Sequence, residues 1–338
     1  MAAPALERPT TPSGTQTVTI AKALNMGLRA SLERDPKVLI MGEDVGKLGG
    51  VFRITDGLQK DFGEHRVLDT PLAESGIIGT AIGLAIRGYR PVCEIQFDGF
   101  IFPGFDQIIS QLAKLHYRSQ GKVKMPIVIR VPYGGGIGAV EHHSESPESL
   151  FAHIAGLKVV SCSNPVDAYW MLQQAIECDD PVLFFEPKRR YYEKAELDTS
   201  IDPLPLLSSR VARSGSAVTV AAYGPMVRTC LDAAAAASED GLDLEVVDLR
   251  ALSPLDLGPV FESVRRTGRL VLVSEAPAES SVTSEIATRV QQECFYSLEA
   301  PVLRATGFDT PYPPSKLEEG FLPDLDRVLD VVDRSLAY

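Results

Sequence analysis

A repeated alternation of short apolar runs with segments of helical period constrains this chain most. "VLIMGEDV" (38–45), "YRPVCEIQF" (89–97), "MPIVIRVPYGGG" (125–136), "LKVVSCS" (157–163) and "PVLFFEPK" (181–188) read as buried strands. Helical segments lie between them. "TIAKALNMGLRASLERD" (19–35) puts Ile20, Leu24, Leu28 and Leu32 on one face, and "PGFDQIISQLAKLHYRSQ" (103–120) is a second example. Strand and helix in alternation require parallel sheets covered by helices. The alternation stops in the Pro-, Ser- and Asp-rich stretch "ELDTSIDPLPLLSSRVARSG" (196–215), then restarts at "AVTVAAYG" (217–224) and runs through "SSVTSEIATRVQQECF" (280–295). The expected architecture is therefore α/β, with two three-layer parallel-sheet domains at 17–195 and 215–338. A linker at 196–214 joins them, and a disordered lead-in covers 1–16. The 338 residues suit two such domains at ~150 residues each.

Charge and composition exclude several function classes. The net charge of −12 disfavours a nucleic-acid groove or an anionic membrane as partner. No run of ~18 apolar residues reads as a membrane span, and the first residues have no apolar signal region. Cys93, Cys162, Cys178, Cys230 and Cys294 are scattered, without a CxxC pair, so reduced thiols in a cytoplasmic protein are expected.

Three stretches carry candidate chemistry. In "VLDTPLAESGIIGTAIGLAIRG" (67–88), Thr70 and Pro71 read as a helix start, followed by a helix apolar on several faces and hence buried. Gly76, Gly79 and Gly83 each cost ~1 kcal/mol in a helix, which points to close packing. Glu74 stands one residue too late for a capping box. From pattern alone it is an ordinary first-turn acid favoured by the helix dipole. "FDGFIFPGFDQ" (97–107) clusters Phe97, Phe100, Phe102 and Phe105 after a strand. These rings are either core aromatics or a platform at the carboxyl end of the strand, where α/β folds place ligands. "YGGGIGAVEHHSESPE" (133–148) is a post-strand glycine loop ending in His142 and His143, which serve either as solvated loop residues or in catalysis. Ser144 or Ser146 offers a cap at Pro147. Metal ligation by the histidines is disfavoured, because no third ligand has suggestive spacing. The chain has neither a GxxxxGK[ST] phosphate loop nor a GxSxG elbow.

Taken together, "GEDVGKLGGVFRITDGL", "DTPLAESGIIGTAIGLA", "EIQFDGFIFPGFDQI", "HHSESPE" and "FFEPK" resemble the β subunit of the 2-oxo acid dehydrogenase decarboxylating component, a thiamin diphosphate enzyme of transketolase-like fold. The resemblance runs in order from about residue 17 to the C-terminus. "GGVFR", "EIQFDGFIFPGFDQI" and "FFEPK" look more like the branched-chain enzyme (3-methyl-2-oxobutanoate dehydrogenase) than the pyruvate enzyme. The resemblance implies a pyrimidine-binding domain and a transketolase C-terminal-like domain. It also implies an α2β2 heterotetramer whose α subunit holds the pyrophosphate and Mg2+. The GDG…N motif of that α subunit is absent here. By the same resemblance, Glu74 hydrogen-bonds the aminopyrimidine ring and favours its imino tautomer, Phe100 packs on that ring, and Leu72 helps wall the cofactor. His143, directly before Ser144, is the active-site histidine that assists proton transfer or positions a lipoyl group. A structural potassium ion would take backbone carbonyls near Ile127, Ala175, Cys178 and Asp180, although Cys178 and Asp180 depart from the residue types of that site. The implied activity is oxidative decarboxylation of a small 2-oxo acid, with acyl transfer to a lipoyl acyltransferase core that docks on the C-terminal domain. The acids Glu275, Glu279 and Asp309 of that domain read as ordinary solvated surface. Alternatives are the same role in a pyruvate or acetoin enzyme, or a non-catalytic scaffold subunit.

Overall fold

A computed structural model describes residues 15–338. The lead-in expected at 1–16 lies outside the described residues up to 14, while Thr15 and Gln16 begin a strand, Thr15–Thr19. Thr19 caps the next helix, Ile20–Arg34, its hydroxyl accepting the N–H of Lys22 at 3.1 Å. The apolar face read from the sequence, Ile20, Leu24, Leu28 and Leu32, is buried.

The first sheet has seven strands. From edge to edge they are Ala251–Ser253, Lys158–Ser161, Val182–Pro187, Val128–Tyr133, Arg90–Glu94, Val38–Gly42 and Val67–Asp69. The second sheet has five: Leu303–Gly307, Leu270–Pro277, Val218–Ala222, Leu244–Asp248 and Arg210–Arg213. Within the first, alternate residues serve opposite faces: Met41, Cys93, Ile129 and Leu183 on one, Ile40, Val92, Val128 and Val182 on the other. Both faces are apolar and covered, as a parallel sheet requires.

Three details differ from the expected architecture. Each sheet carries one antiparallel edge strand: Ala251–Ser253 beside Lys158–Ser161, and Arg210–Arg213 beside Leu244–Asp248. Residues 251–253 lie beyond the linker yet pair with the first sheet, because Ser161 N–H donates to Arg250 C=O at 2.9 Å and extends the ladder across the boundary. The linker is also shorter than 196–214. Lys194–Asp198 pairs with Thr15–Thr19, and Arg210–Arg213 belongs to the second sheet. One apolar core reaches from Met41 and Ile129 of the first domain to Val247 and Leu272 of the second, so the two domains share buried surface.

Three adjacent strands of the first sheet are cross-tied by buried charge. The Arg130 guanidinium meets Glu186 through Nε (2.7 Å) and a terminal nitrogen (3.0 Å), and Glu94 through the other terminal nitrogen (2.6 Å). Tyr191 O–H donates to the same Glu186 at 2.6 Å. Burial alone would lower the Arg130 guanidinium, but Glu186 and Glu94 hold it above its ordinary value. The fixed fork of arginine suits this two-sided pairing. Replacing Arg130 with Met leaves two carboxylates buried without a cation. The expected loss is about 3–5 kcal/mol of unfolding free energy, read from the urea midpoint; a midpoint equal to wild type would show that the cluster does not hold the sheet.

Candidate functional site

The segments that follow strands Val67–Asp69, Val38–Gly42, Arg90–Glu94, Val128–Tyr133 and Val182–Pro187 emerge side by side, at the carboxyl ends of adjacent parallel strands. This is where open α/β sheets build ligand sites. Glu43, Glu74, the Phe97–Phe100 segment, the glycine loop and Lys188 all lie on these segments.

Glu74 is the first residue of helix Glu74–Ile86 and only 6% exposed. The helix begins later than Thr70–Pro71 implies, and Ala73 at its cap gives no side-chain bond. Glu43 stands nearby, directly after Val38–Gly42. Burial pushes its carboxyl up first, and the Glu74 and Asp44 charges push it further. Its Oε1 is buried without a hydrogen-bond partner among the described residues. An orphaned carboxylate oxygen beside a second buried carboxylate fits a site completed by a donor-bearing ligand. Sequence reasoning missed Glu43. Its signal was an acid immediately after an apolar strand, the same position logic that singles out the other strand-end residues.

Helix Glu74–Ile86 is not buried all round. Ile77, Ile78, Ala81 and Ala85 face the core, whereas Gly76, Thr80, Gly83 and Ile86 form an uncovered face. Just before the helix, Leu72 is 81% exposed. A Cβ added at Gly83 would meet nothing within 4 Å, and one at Gly76 or Gly79 would make only ordinary contact, with Ala73 at 3.5 Å or Gln107 at 3.8 Å, so none of the three glycines is required by tight packing among the described residues.

The aromatic cluster divides. Phe105 packs edge-on against core Phe151, with centroids 5.4 Å apart. Phe97 stacks on the His143 imidazole at 4.0 Å and 13°, and Phe100 meets the same ring edge-on at 5.0 Å. Only glycine fits at position 99, because a Cβ there would lie 2.2 Å from the His142 carbonyl oxygen. His143 Nδ1 is 2.9 Å from that carbonyl. A carbonyl can only accept, so Nδ1 carries the proton, and Nε2 of the neutral ring is the basic nitrogen. Below the histidine, Asp98 Oδ1 pairs with buried Lys188 at 2.5 Å, and its Oδ2 accepts Glu145 N–H at 2.8 Å. Neither Ser144 nor Ser146 caps the following helix, Glu148–Ala152, where Pro147 takes the cap position. No three His, Cys, Asp or Glu residues among the described residues form a metal-binding group.

Ile127, Ala175, Cys178 and Asp180 lie beside the amino ends of Val128–Tyr133 and Val182–Pro187, on the opposite rim from the histidine. Three of their carbonyls already accept a hydrogen bond: Ile127 from Val182 N–H at 2.9 Å, Ala175 from Cys178 N–H at 3.2 Å, and Cys178 from Arg90 at 3.1 Å. Each retains a second lone pair for an ion. Two side-chain cations also serve this corner. Arg90 binds the Ile176, Glu177 and Cys178 carbonyls, and Lys158 sits 2.5 Å from Asp180 and 3.1 Å from Cys178 Sγ.

The transketolase pyrimidine-binding domain model matches residues 16–194, and the transketolase C-terminal domain model matches 208–328. A solved split-gene transketolase, described as an inactive beta4 tetramer, superposes with a TM-score of 0.79 at 22% identity, over 95% of this chain and 98% of that one. Fold and strand-end site thus define a chain of the transketolase type. The pyruvate dehydrogenase E1 component subunit beta of Leifsonia xyli is 62% identical over 336 residues, 99% of each chain. The 3-methyl-2-oxobutanoate dehydrogenase subunit beta of Mycobacterium tuberculosis is 53% identical over 95% of this chain and 93% of that protein. The 2-oxoisovalerate dehydrogenase subunit beta of Pseudomonas aeruginosa is 44% identical over 92% and 93%. The chain belongs to the family of 2-oxo acid dehydrogenase E1 β subunits. Among the described residues no helix is long and apolar enough to cross a membrane.

Glu148, at the seam of the two domains, is fully buried and accepts Tyr223 O–H at 2.6 Å. Burial raises its carboxyl to about 7, despite that hydrogen bond. A raised folded pKa favours the protonated folded state, so this contribution is full below about pH 4.5 and is lost as pH rises through about 7. Between pH 5 and pH 8 the wild type should lose on the order of 3 kcal/mol more stability than Glu148→Gln, read from denaturant midpoints. Parallel pH profiles for the two proteins would contradict the assignment.

Proposed function

We propose that this chain is the β subunit of a branched-chain 2-oxo acid dehydrogenase, active with an α subunit in an α2β2 assembly. Buried Glu74, beside the orphaned Glu43 oxygen at the mouth of the sheet, carries this reading. Thiamin diphosphate, when bound, supplies the electron sink for decarboxylation of a 2-oxo acid. Glu74 offers a desolvated carboxyl group to a ring nitrogen and so controls which tautomer of the aminopyrimidine persists. Phe100 supplies an aromatic face for that ring, and Leu72 an apolar wall that a partner chain covers. His143 presents Nε2 as a base or a lipoyl-positioning group, held flat by Phe97 and fixed in tautomer by the His142 carbonyl.

The uncovered face of helix Glu74–Ile86 supports an α subunit seated there, which would bring the pyrophosphate and Mg2+. Potassium at the carbonyls of Ile127, Ala175, Cys178 and Asp180 would be structural, since it lies on the rim away from the histidine. The stretches "GGVFR" and "FFEPK" and the relatives named for 3-methyl-2-oxobutanoate and 2-oxoisovalerate favour a branched substrate. The relative named for pyruvate, at 62% identity, favours the second reading, a pyruvate enzyme.

Two measurements on the complex reconstituted with its α subunit test this proposal. Glu74→Gln should assemble normally and lose at least about 100-fold in decarboxylation rate; full activity would favour a scaffold role. Across a substrate panel, 3-methyl-2-oxobutanoate should exceed pyruvate in kcat/KM by at least about 10-fold, which is about 1.4 kcal/mol of transition-state binding. The reverse preference would sink the branched-chain reading in favour of pyruvate.

A further inference from the structure

The glycine loop that carries His143 is held from the other domain. Gly136 N–H and Gly138 N–H donate to the two oxygens of Glu318, at 2.8 and 2.9 Å. Tyr312 O–H donates to the same carboxylate at 2.6 Å. Gly135 N–H donates to Glu275 at 3.0 Å, and Glu275 is paired with Arg189 at 2.7 Å. Glu275 is therefore not the solvated surface acid its sequence context implies; it is buried at the seam. The loop is closed at its base by Gly134 N–H donating to Glu145 C=O at 2.9 Å, and its far arm is tied down through Glu145 N–H on Asp98. Gly136 and Gly138 have φ of +87° and +69°, a backbone that depends on these bonds to stay in one shape. Charge-assisted bonds from one carboxylate to two backbone donors fix both position and direction.

We propose that Glu318 is a positioning residue for catalysis: its carboxylate, steadied by Tyr312, clasps Gly136 and Gly138 and so sets the loop that stacks His143 on Phe97. The clasp makes the C-terminal domain part of the active-site scaffold, although it supplies no group to the reacting atoms. Its catalytic consequence rests on the role given to His143 above.

The test uses the complex reconstituted with its α subunit. A glutamine offers one acceptor oxygen where the carboxylate offers two, so Glu318→Gln keeps at most one of the two amide bonds and sets an N–H against the other. Amide hydrogen exchange across residues 134–143 should then quicken by at least about 10-fold, while strand Val128–Tyr133 exchanges as in wild type. The turnover number for lipoyl acylation should fall by about 10-fold, with the KM for 2-oxo acid within about two-fold, as misplacement of a catalytic group predicts. Tyr312→Phe removes one donor to the carboxylate and keeps both amide bonds, so it should show less than about a third of the exchange effect. Unchanged exchange across 134–143 in Glu318→Gln would overturn the clasp. Quickened exchange with unchanged turnover, in an enzyme that His143→Ala inactivates, would overturn the positioning role. Full activity in His143→Ala would instead overturn the role of His143 and the catalytic half of the proposal with it, and the exchange result would still decide the clasp.

Discussion

The buried Arg130 guanidinium locks the register of the central strands of the first sheet. Arg130 lies inside a parallel sheet whose two faces are both covered, and its guanidinium spans three neighbouring strands through Glu94 and Glu186. A charge in such a place is costly unless geometry and hydrogen bonds are fully satisfied. Here Tyr191 O–H adds a second donor to the Glu186 oxygen that already accepts from an Arg130 terminal nitrogen. A slip of one strand by one residue would separate the charges and also turn the apolar set of that strand to the wrong face. The register that results decides where the post-strand segments emerge, and so where Phe97, His143 and Lys188 can meet.

Above this layer the site is assembled from short segments that would have no fixed shape alone. Gly99 lets the Phe97–Phe100 turn approach the His142 carbonyl, and Asp98 with Lys188 anchors the descending arm of the histidine loop. Glu318 and Glu275 take the ascending arm from the second domain. The seam between domains is therefore not a passive contact. It combines a continuous apolar core with buried acids, and the acids are spent on backbone N–H groups that a glycine-rich loop would otherwise leave unpaired. The opposite arrangement holds on helix Glu74–Ile86, where small residues and Ile86 remain uncovered beside the most buried catalytic candidate. That uncovered face is where the proposed α subunit would sit.

The legible features were those with a local period or a local breaker. The face Ile20–Leu24–Leu28–Leu32, the strand runs and the restart after the Pro- and Ser-rich stretch follow from side-chain spacing alone. Glu74, Phe100 and His143 could be singled out because each follows an apolar run in a chain expected to be α/β, and the family resemblance gave them roles. The same spacing misjudged helix Glu74–Ile86. An apolar residue on every face reads as burial, and a single sequence cannot say which chain does the burying. Residues 251–253 crossed the boundary drawn for the domains because an edge strand needs only three residues and one neighbour, which leaves almost no pattern to read.

Fold class, the division into two α/β domains and the kind of residue at each strand end can be read from spacing along the chain. These depend on interactions between near neighbours in the chain. Folding, and no local pattern, brings Glu43 to the mouth beside Glu74, ties three strands through Arg130, and sets Glu275 and Glu318 on a loop 140 and 182 residues away. An acid on a surface and an acid clasping a distant backbone have the same local sequence. What separates them is the burial and the partners that the folded chain brings to them.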